Sequence, residues 1–286
     1  GDSHGTVKVW DRQSGEEIRT LKFHSAGICR LISSLDGKTT ISASYDHTIS
    51  VWNWQTGEEI NRLIEYPDEI AEISTHTNHP ARVVSVATSQ DRQTLVSGSK
   101  GKRIVVWNLK SGRKIHSFTI NGHYNHITEI ALSPDGQTLA SGGGVHDRTI
   151  KIWNLQTGTE IRTLQPRRSH EVTALSFTPD GQILVSGSYD KTVRVWDWQT
   201  GEEIHSLSGH KNWVTSVALS VDGKMIVSGG WDGIIKLWDL QTGDEICTLG
   251  RSSGSYSNVI ASVNISSDGK TIVSGDRNRK IRLWYL

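Results

Sequence analysis

Apolar residues in this chain fall in short runs separated by polar and glycine-rich breaks, and the same succession of runs returns again and again. Residues 209–249, GHKNWVTSVALSVDGKMIVSGGWDGIIKLWDLQTGDEICTL, show one full copy. VTSVALS (214–220), MIVSG (225–229), IIKLW (234–238) and EICTL (245–249) are rich in β-branched and aliphatic residues and bounded by turn chemistry. That pattern predicts four short strands, a to d in order, with no long helical stripe. Asp222-Gly223 between a and b is a strong hairpin signal, because both central positions tolerate positive φ. Asp36-Gly37, Asp135-Gly136, Asp180-Gly181 and Asp268-Gly269 repeat it, while Asp91-Arg92 departs and calls for a different turn. Gln241-Thr242-Gly243 joins c to d, its glycine suited to a left-handed residue, and Gly15, Gly57, Gly112, Gly158 and Gly201 hold the same place.

Each c strand ends in tryptophan: Trp10, Trp52, Trp107, Trp153, Trp196, Trp238 and Trp284, spaced by 42, 55, 46, 43, 42 and 46 residues. A period of roughly 40 to 45 residues marks a repeat architecture. One four-stranded sheet alone would expose two apolar faces, so the copies are expected to stack sheet on sheet and close in a ring. Length then counts copies rather than domains, and residues 1–286 read as a single repeat domain.

Gly122-His123 and Gly209-His210 near the start of a copy, Ser-Pro-Asp-Gly and its variants, Tyr45 to Thr48 and Tyr189 to Thr192 as Tyr-Asp-x-Thr, and Trp-Asp or Trp-Asn closing strand c together resemble WD40 repeats over the whole chain. The resemblance implies an all-β, seven-bladed WD40 β-propeller with a central channel. The copies amount to two strands, five complete sets and three strands, or 25 against the 28 of seven full blades. Strands a and b of the first blade and d of the last are the ones missing, which suggests a fragment lacking an N-terminal segment; the alternative is a six-bladed ring with a redundant IRLWYL segment. The recurring Gln-Thr-Gly-Glu-Glu-Ile phrase looks most like bacterial, especially cyanobacterial, WD40 arrays.

Charge and cysteine content change the picture little. Lys plus Arg total 31 and Asp plus Glu 30, so no global field favours nucleic acid or an acidic membrane, although local patches remain open. Cys29 and Cys247 both sit in apolar strand-like runs, which argues against a disulfide framework and for a reducing, cytoplasmic setting. No uncharged stretch reaches membrane-spanning length.

The 12 histidines invite a metal or catalytic reading, yet their positions follow the repeat: His24, His79, His123 and His210 each lie four residues before strand a. The resemblance implies structural networks of His24, Ser42, Asp46 and Trp52, of His123, Ser141, Asp147 and Trp153, and of His210, Ser228, Asp232 and Trp238. A buried carboxylate needs such partners. In the shortened Ser169-His170-Glu171 loop His170 falls out of register with Asp190. Blades at Trp10, Trp107 and Trp284 have His4, Gly101 and Asn278 in place of the Asp and are expected to be looser. Trp54 and Trp198 replace a leucine and read as larger apolar plugs. The Glu16-Glu17, Glu58-Glu59 and Glu202-Glu203 pairs read as an acidic solubility fringe.

Function is therefore sought where the copies differ. The resemblance sends the d–a and b–c loops to the top face, around the channel mouth. One candidate position precedes strand a, with Gly27, Arg82, His126, Glu171 and Trp213; the other precedes the turn Asp or its equivalent, with Ser3, Tyr45, Lys100, His146, Tyr189, Trp231 and Arg277. Tyr45, Arg82, Lys100, His126, His146, Tyr189, Trp213 and Trp231 form the candidate partner-binding arc, the aromatics supplying contact area and the cations pairing with acidic groups. A longer d–a connection from Glu65 to Arg82 is a second candidate binding loop. The chain thus reads as a non-catalytic protein or peptide scaffold and a monomeric domain, a recognition module of a larger signalling protein, with no catalytic residue, metal or cofactor. The alternatives are a small-ligand or enzymatic propeller using His126 and His146, or a repeat protein serving as a folding or design model.

Overall fold

In the computed structural model the described residues are 1–33, 37–64, 82–91, 93–124, 126–166, 170–250 and 258–286. Residues 65–81, which make up the expected binding loop up to Arg82, lie outside them, as do Asp36, His79, Arg92 and Ser169. Among the described residues there are 25 strands in seven antiparallel sheets and no α-helix. By internal contacts the chain divides into two compact units, Gly1–Ile120 and Asn121–Leu286.

The first unit opens with a two-stranded sheet, β1 (Thr6–Trp10) and β2 (Glu17–Lys22). It continues with β3 (Ile28–Ser33), β4 (Thr39–Ser44), β5 (Thr48–Asn53) and β6 (Glu59–Ile64), and then β7 (Val83–Thr88), β8 (Thr94–Ser99), β9 (Arg103–Asn108) and β10 (Arg113–Thr119). The second unit holds β11 (Ile127–Leu132), β12 (Thr138–Gly143), β13 (Ile150–Asn154) and β14 (Glu160–Leu164), followed by β15 (Val172–Phe177), β16 (Ile183–Ser188), β17 (Thr192–Asp197) and β18 (Glu202–Ser208). Its last sheets are β19 (Val214–Leu219), β20 (Met225–Gly230), β21 (Ile235–Asp239) and β22 (Glu245–Leu249), and the three-stranded β23 (Ile260–Ile265), β24 (Thr271–Asp276) and β25 (Ile281–Tyr285). Neighbours in each sheet are neighbours in sequence, so the d–a loops and b–c turns share one end and the a–b and c–d turns the other.

Burial follows strand position. Strands b and c lie between stacked sheets, so they read as near-continuous apolar runs, as in β16 and β17. The outer d strands, such as β6, keep little more than one buried leucine. In the second unit a Thr hydroxyl on strand a joins each sheet to the next: Thr128 Oγ1 donates to the Val172 carbonyl (2.6 Å), Thr173 to Val214 (2.7 Å) and Thr215 to Ile260 (2.5 Å). Glycines on strand b let these sheets close up, since a Cβ on Gly142, Gly187 or Gly229 would stand 2.7, 2.8 or 2.6 Å from Val172, Val214 or Ile260.

The expected polar networks are present. His24 Nε2 meets Ser42 Oγ at 2.8 Å and Nδ1 meets Asp46, while Trp52 Nε1 donates to the same serine. His123 joins Ser141 and Asp147, and His210 joins Ser228 (2.8 Å) and Asp232 (3.0 Å), with Trp153 and Trp238 donating to those serines. Burial opposes ionisation of Asp232, but hydrogen bonds from His210 and from the Lys211 and Ile234 amides outweigh it and hold the carboxyl below its usual value.

Three expectations are filled out by these contacts. Asp190 is partnered by Arg194 from β17 at 2.5 Å, a guanidinium doing the work of the displaced histidine. The last sheet has its own clamp two residues before Asn278, where Asp276 takes Arg282 at 2.6 Å and the Lys280 amide at 2.9 Å, and Trp284 still donates to Ser274. Trp54 and Trp198 are more than apolar plugs: their indole N–H groups donate to the Gly37 and Gly181 carbonyls in the a–b turns. The acidic fringe is likewise engaged in part, with Glu17 on Lys8, Glu59 on Arg62 and Glu203 on Arg194.

Candidate functional site

One backbone bond past the end of the a–b ladder pairs the two candidate positions of each sheet. The Tyr45 N–H donates to the Gly27 carbonyl (3.0 Å), Lys100 to Arg82 (2.8 Å), Tyr189 to Glu171 (3.1 Å), Trp231 to Trp213 (2.8 Å) and Arg277 to Val259 (3.1 Å). Both side chains of a pair therefore leave the sheet at the same end.

The sheet holding His126 breaks this rule. There the His126 carbonyl takes the N–H of Gly144, not of His146, because the b–c turn is enlarged through Gly144 and Val145. His146 is carried past the paired position and is exposed, whereas His126 is half-buried beside Gly144. The two histidines singled out for a ligand site are thus in different registers.

Within the first unit, the Arg82 guanidinium lies 5.9 Å from the centroid of the Tyr45 ring, which is 44% exposed. Burial raises the Tyr45 phenol above its usual pKa, with Cys29 adding to the shift and Arg82 opposing it. Lys100 is exposed next to them.

Within the second unit, stacking of the sheets brings the positions into a column. Tyr189 stacks on Trp213 with ring centroids 4.2 Å apart and planes 14° from parallel. Trp213 meets Trp231 at 4.8 Å and 52°. The exposed Arg277 guanidinium sits 4.6 Å from the Trp231 centroid. All three rings are half-buried, so the column is rigid yet reachable from solvent. Such ring pairs contribute about 0.5–1.5 kcal/mol each beyond area burial. At the far side, burial raises the Glu171 carboxyl, and burial together with Glu171 raises the Tyr189 phenol while Arg277 lowers it.

Sequence reasoning missed the conformation of the b–c turns. His47, Lys102, Arg148, Lys191 and Arg279 all have positive φ, between 58° and 73°, at the residue after the turn acid or its equivalent. Gly233 takes that place beside Trp231. The signal lies in the variable residue of Tyr-Asp-x-Thr, at His47 and Lys191.

Among the described residues, no group of three or more His, Cys, Asp or Glu side chains converges to hold a metal ion. No helix among them is long and apolar enough to cross a membrane.

The family model described as "WD domain, G-beta repeat" matches residues 15–53, 70–108, 112–154, 158–197, 201–239 and 245–285. Five of the stretches run from a d strand through the following a, b and c, and 70–108 covers β7, β8 and β9 without β6, so six repeats are matched where seven blades were expected, and β1 precedes the first of them. Curated relatives include Protein FIZZY-RELATED 1 of Arabidopsis thaliana, 30% identical over 162 residues, 56% of this chain and 31% of the relative. WD repeat-containing protein srw1 of Schizosaccharomyces pombe is 27% identical over 57% of this chain and 27% of its own length. Nuclear distribution protein PAC1-2 of Uncinocarpus reesii is 27% identical over 61% of this chain and 39% of its own length. The match thus spans about a third of each relative. All three are eukaryotic, and the bacterial likeness read from the repeat phrase has no counterpart among them.

Proposed function

This chain belongs to the WD40 repeat family, and from that premise we propose that it is a non-catalytic scaffold, a single seven-bladed propeller that holds a protein or peptide partner at the d–a and b–c end of its sheets. The observation that carries the reading is the column of Tyr189, Trp213, Trp231 and Arg277, preassembled by ring contacts and open to solvent. Large rigid rings beside an arginine are the composition of interface hot spots, since they give contact area with little rotamer entropy to lose. Binding is favoured over catalysis by how the reactive side chains are used. Ser, His and Asp recur together in several sheets, tied to a Trp indole in each, and His126 and His146 stand in different registers. Neither Cys29 nor Cys247 is joined in a disulfide, which fits the cytoplasm as the working compartment.

Affinity capture with the wild-type chain and with the Trp213→Ala, Trp231→Ala variant tests the reading. Loss of captured partners at a preserved circular-dichroism spectrum is the expected result. An unchanged set of partners would remove the column from the interface.

A further inference from the structure

The net charge of +1 hides a polarised second unit. At the end that carries the ring column, Arg148, Lys191, Lys211, Arg277, Arg279 and Lys280 are all exposed. The aspartates of the same loops are spent internally: Asp147 on His123, Asp190 on Arg194, Asp232 on His210 and Asp276 on Arg282. Glu171 is left among the described residues, and burial shifts its carboxyl toward the neutral form. The opposite turns instead expose Asp135, Asp180, Asp222, Asp244 and Asp268.

One detail singles out the basic end as more than a solvated fringe. Arg277 lies on the Trp231 ring with its guanidinium unpaired by any carboxylate among the described residues, whereas Arg194 and Arg282 of the same unit are each clamped by an aspartate. A guanidinium held by an indole face keeps its N–H fork available for a planar, two-pronged carboxylate contact. Arg148, Lys191 and Arg279 occupy left-handed backbone positions where glycine would be unstrained, as His47 and Lys102 do in the first unit, so the conformation belongs to the repeat and these residues bear on binding through their charge.

Resting on the scaffold reading above, we propose that this end of the second unit binds an extended, acidic segment of a partner protein. A carboxylate of the segment pairs with Arg277, neighbouring acids meet Lys191, Lys211 and Arg279, and an apolar side chain packs on the exposed edges of Trp213 and Trp231. Charge complementarity chooses an anionic occupant, and the rings choose peptide over nucleic acid. Trp213 is already in contact with Tyr189 and Trp231, and Trp231 with Arg277, so a base would have to break a ring contact to stack, whereas a carboxylate breaks none.

Selection from a random-peptide display library on the full chain reads out the ligand class directly. The expected outcome is enrichment of Asp and Glu around an apolar residue. A labelled selected peptide should then lose about tenfold or more in affinity with Arg277→Gln, and with the combined Arg148→Gly, Lys191→Gly, Arg279→Gly variant. The glycine variant relieves strain as it removes charge, so its melting temperature should hold while binding falls. Absence of selected binders, peptides without acidic enrichment, equal binding to the glycine variant, or tighter binding of a labelled oligothymidylate would each overturn the proposal. Peptides that lack acids but are lost with Trp213→Ala, Trp231→Ala would leave the scaffold reading standing and defeat only the charge assignment. Partners or peptides indifferent to the tryptophans would remove the ring column from the interface and with it both readings of this site.

Discussion

The two units repeat the same strands yet join their sheets differently. In Asn121–Leu286, Thr128, Thr173 and Thr215 reach across to the next sheet, and Gly142, Gly187 and Gly229 let the facing Val or Ile approach to where a Cβ would stand. In Gly1–Ile120 the corresponding strand-a residue of β3 is Cys29 and the strand-b residue of β4 is the fully buried Ala43, while β8 keeps its glycine, Gly98. The Cys29 thiol donates to the Ala43 carbonyl of its own sheet. One added methyl group and one missing hydroxyl in the β3–β6 sheet thus change how it meets the next sheet while leaving the strands untouched. Packing at native density makes such small volumes matter. The same unit that is tightly joined carries the ring column, which needs side chains from three successive sheets to meet within about van der Waals contact.

The largest test of this contrast is Gly229→Ala, whose new Cβ would lie 2.6 Å from Ile260 and 2.8 Å from Val263. It should cost about 2–3 kcal/mol in urea denaturation. The reciprocal Ala43→Gly should cost only about 0.5–1 kcal/mol. Equal costs would show that sheet spacing is not what separates the units.

Ser228→Ala comes next. It strips the partner from both His210 Nε2 and Trp238 Nε1 in a buried network, at about 2 kcal/mol by thermal melting. Ser42→Ala should cost a similar amount, since His24 and Trp52 use that serine the same way. A large inequality would move the difference between units from sheet spacing to the networks.

Thr215→Val removes bonds to Gly229 and Ile260 without changing shape, and about 1 kcal/mol should be lost. Faster amide hydrogen exchange along β23 than in wild type would report it, and unaltered exchange would deny the threonine its joining role.

Acidification sharpens the comparison from the first unit. Burial holds His24 below its usual pKa against the pull of Asp46, so the ring is neutral in the fold. The unfolded chain takes up this proton first, near 6.5, so the contribution is complete above that pH and falls as pH drops through the lowered folded value. Asp46 acts lower. Burial opposes its ionisation, but hydrogen bonds from Thr48 and the Ser25 amide win, and its contribution goes as pH falls below 3.8 toward the folded pKa. The protection factors of the β3–β6 amides, which take the intrinsic slowing of exchange with falling pH into account, should therefore begin to drop below neutral pH, before the aspartate range is reached. A drop that starts only in the acid range would place the loss on Asp46 alone.

Much of the fold was legible because each copy states it again. Asp-Gly turns, β-branched runs and the closing Trp specify strand boundaries locally, so the two, five times four, and three strands read from the sequence are those observed. The networks at His24, His123 and His210 were legible for the same reason. Their substitutes were not: Arg194 and Arg282 reach Asp190 and Asp276 from strand c, and which side chain fills a vacated hydrogen-bonding place depends on reach across a sheet rather than on spacing along the chain.

The candidate site divides along the same line. That Trp213, Trp231 and Arg277 depart from the repeat, and that the recurring Tyr189 lies at the same loop end, follows from the sequence by itself, since successive antiparallel strands put the d–a and b–c connections at one end. That Tyr189 stacks on Trp213, that Trp231 holds Arg277, and that His146 leaves the series depend on the distance between separate sheets and on the shape of one enlarged turn. Those are properties of the packed structure, set by long-range contacts that no local pattern encodes.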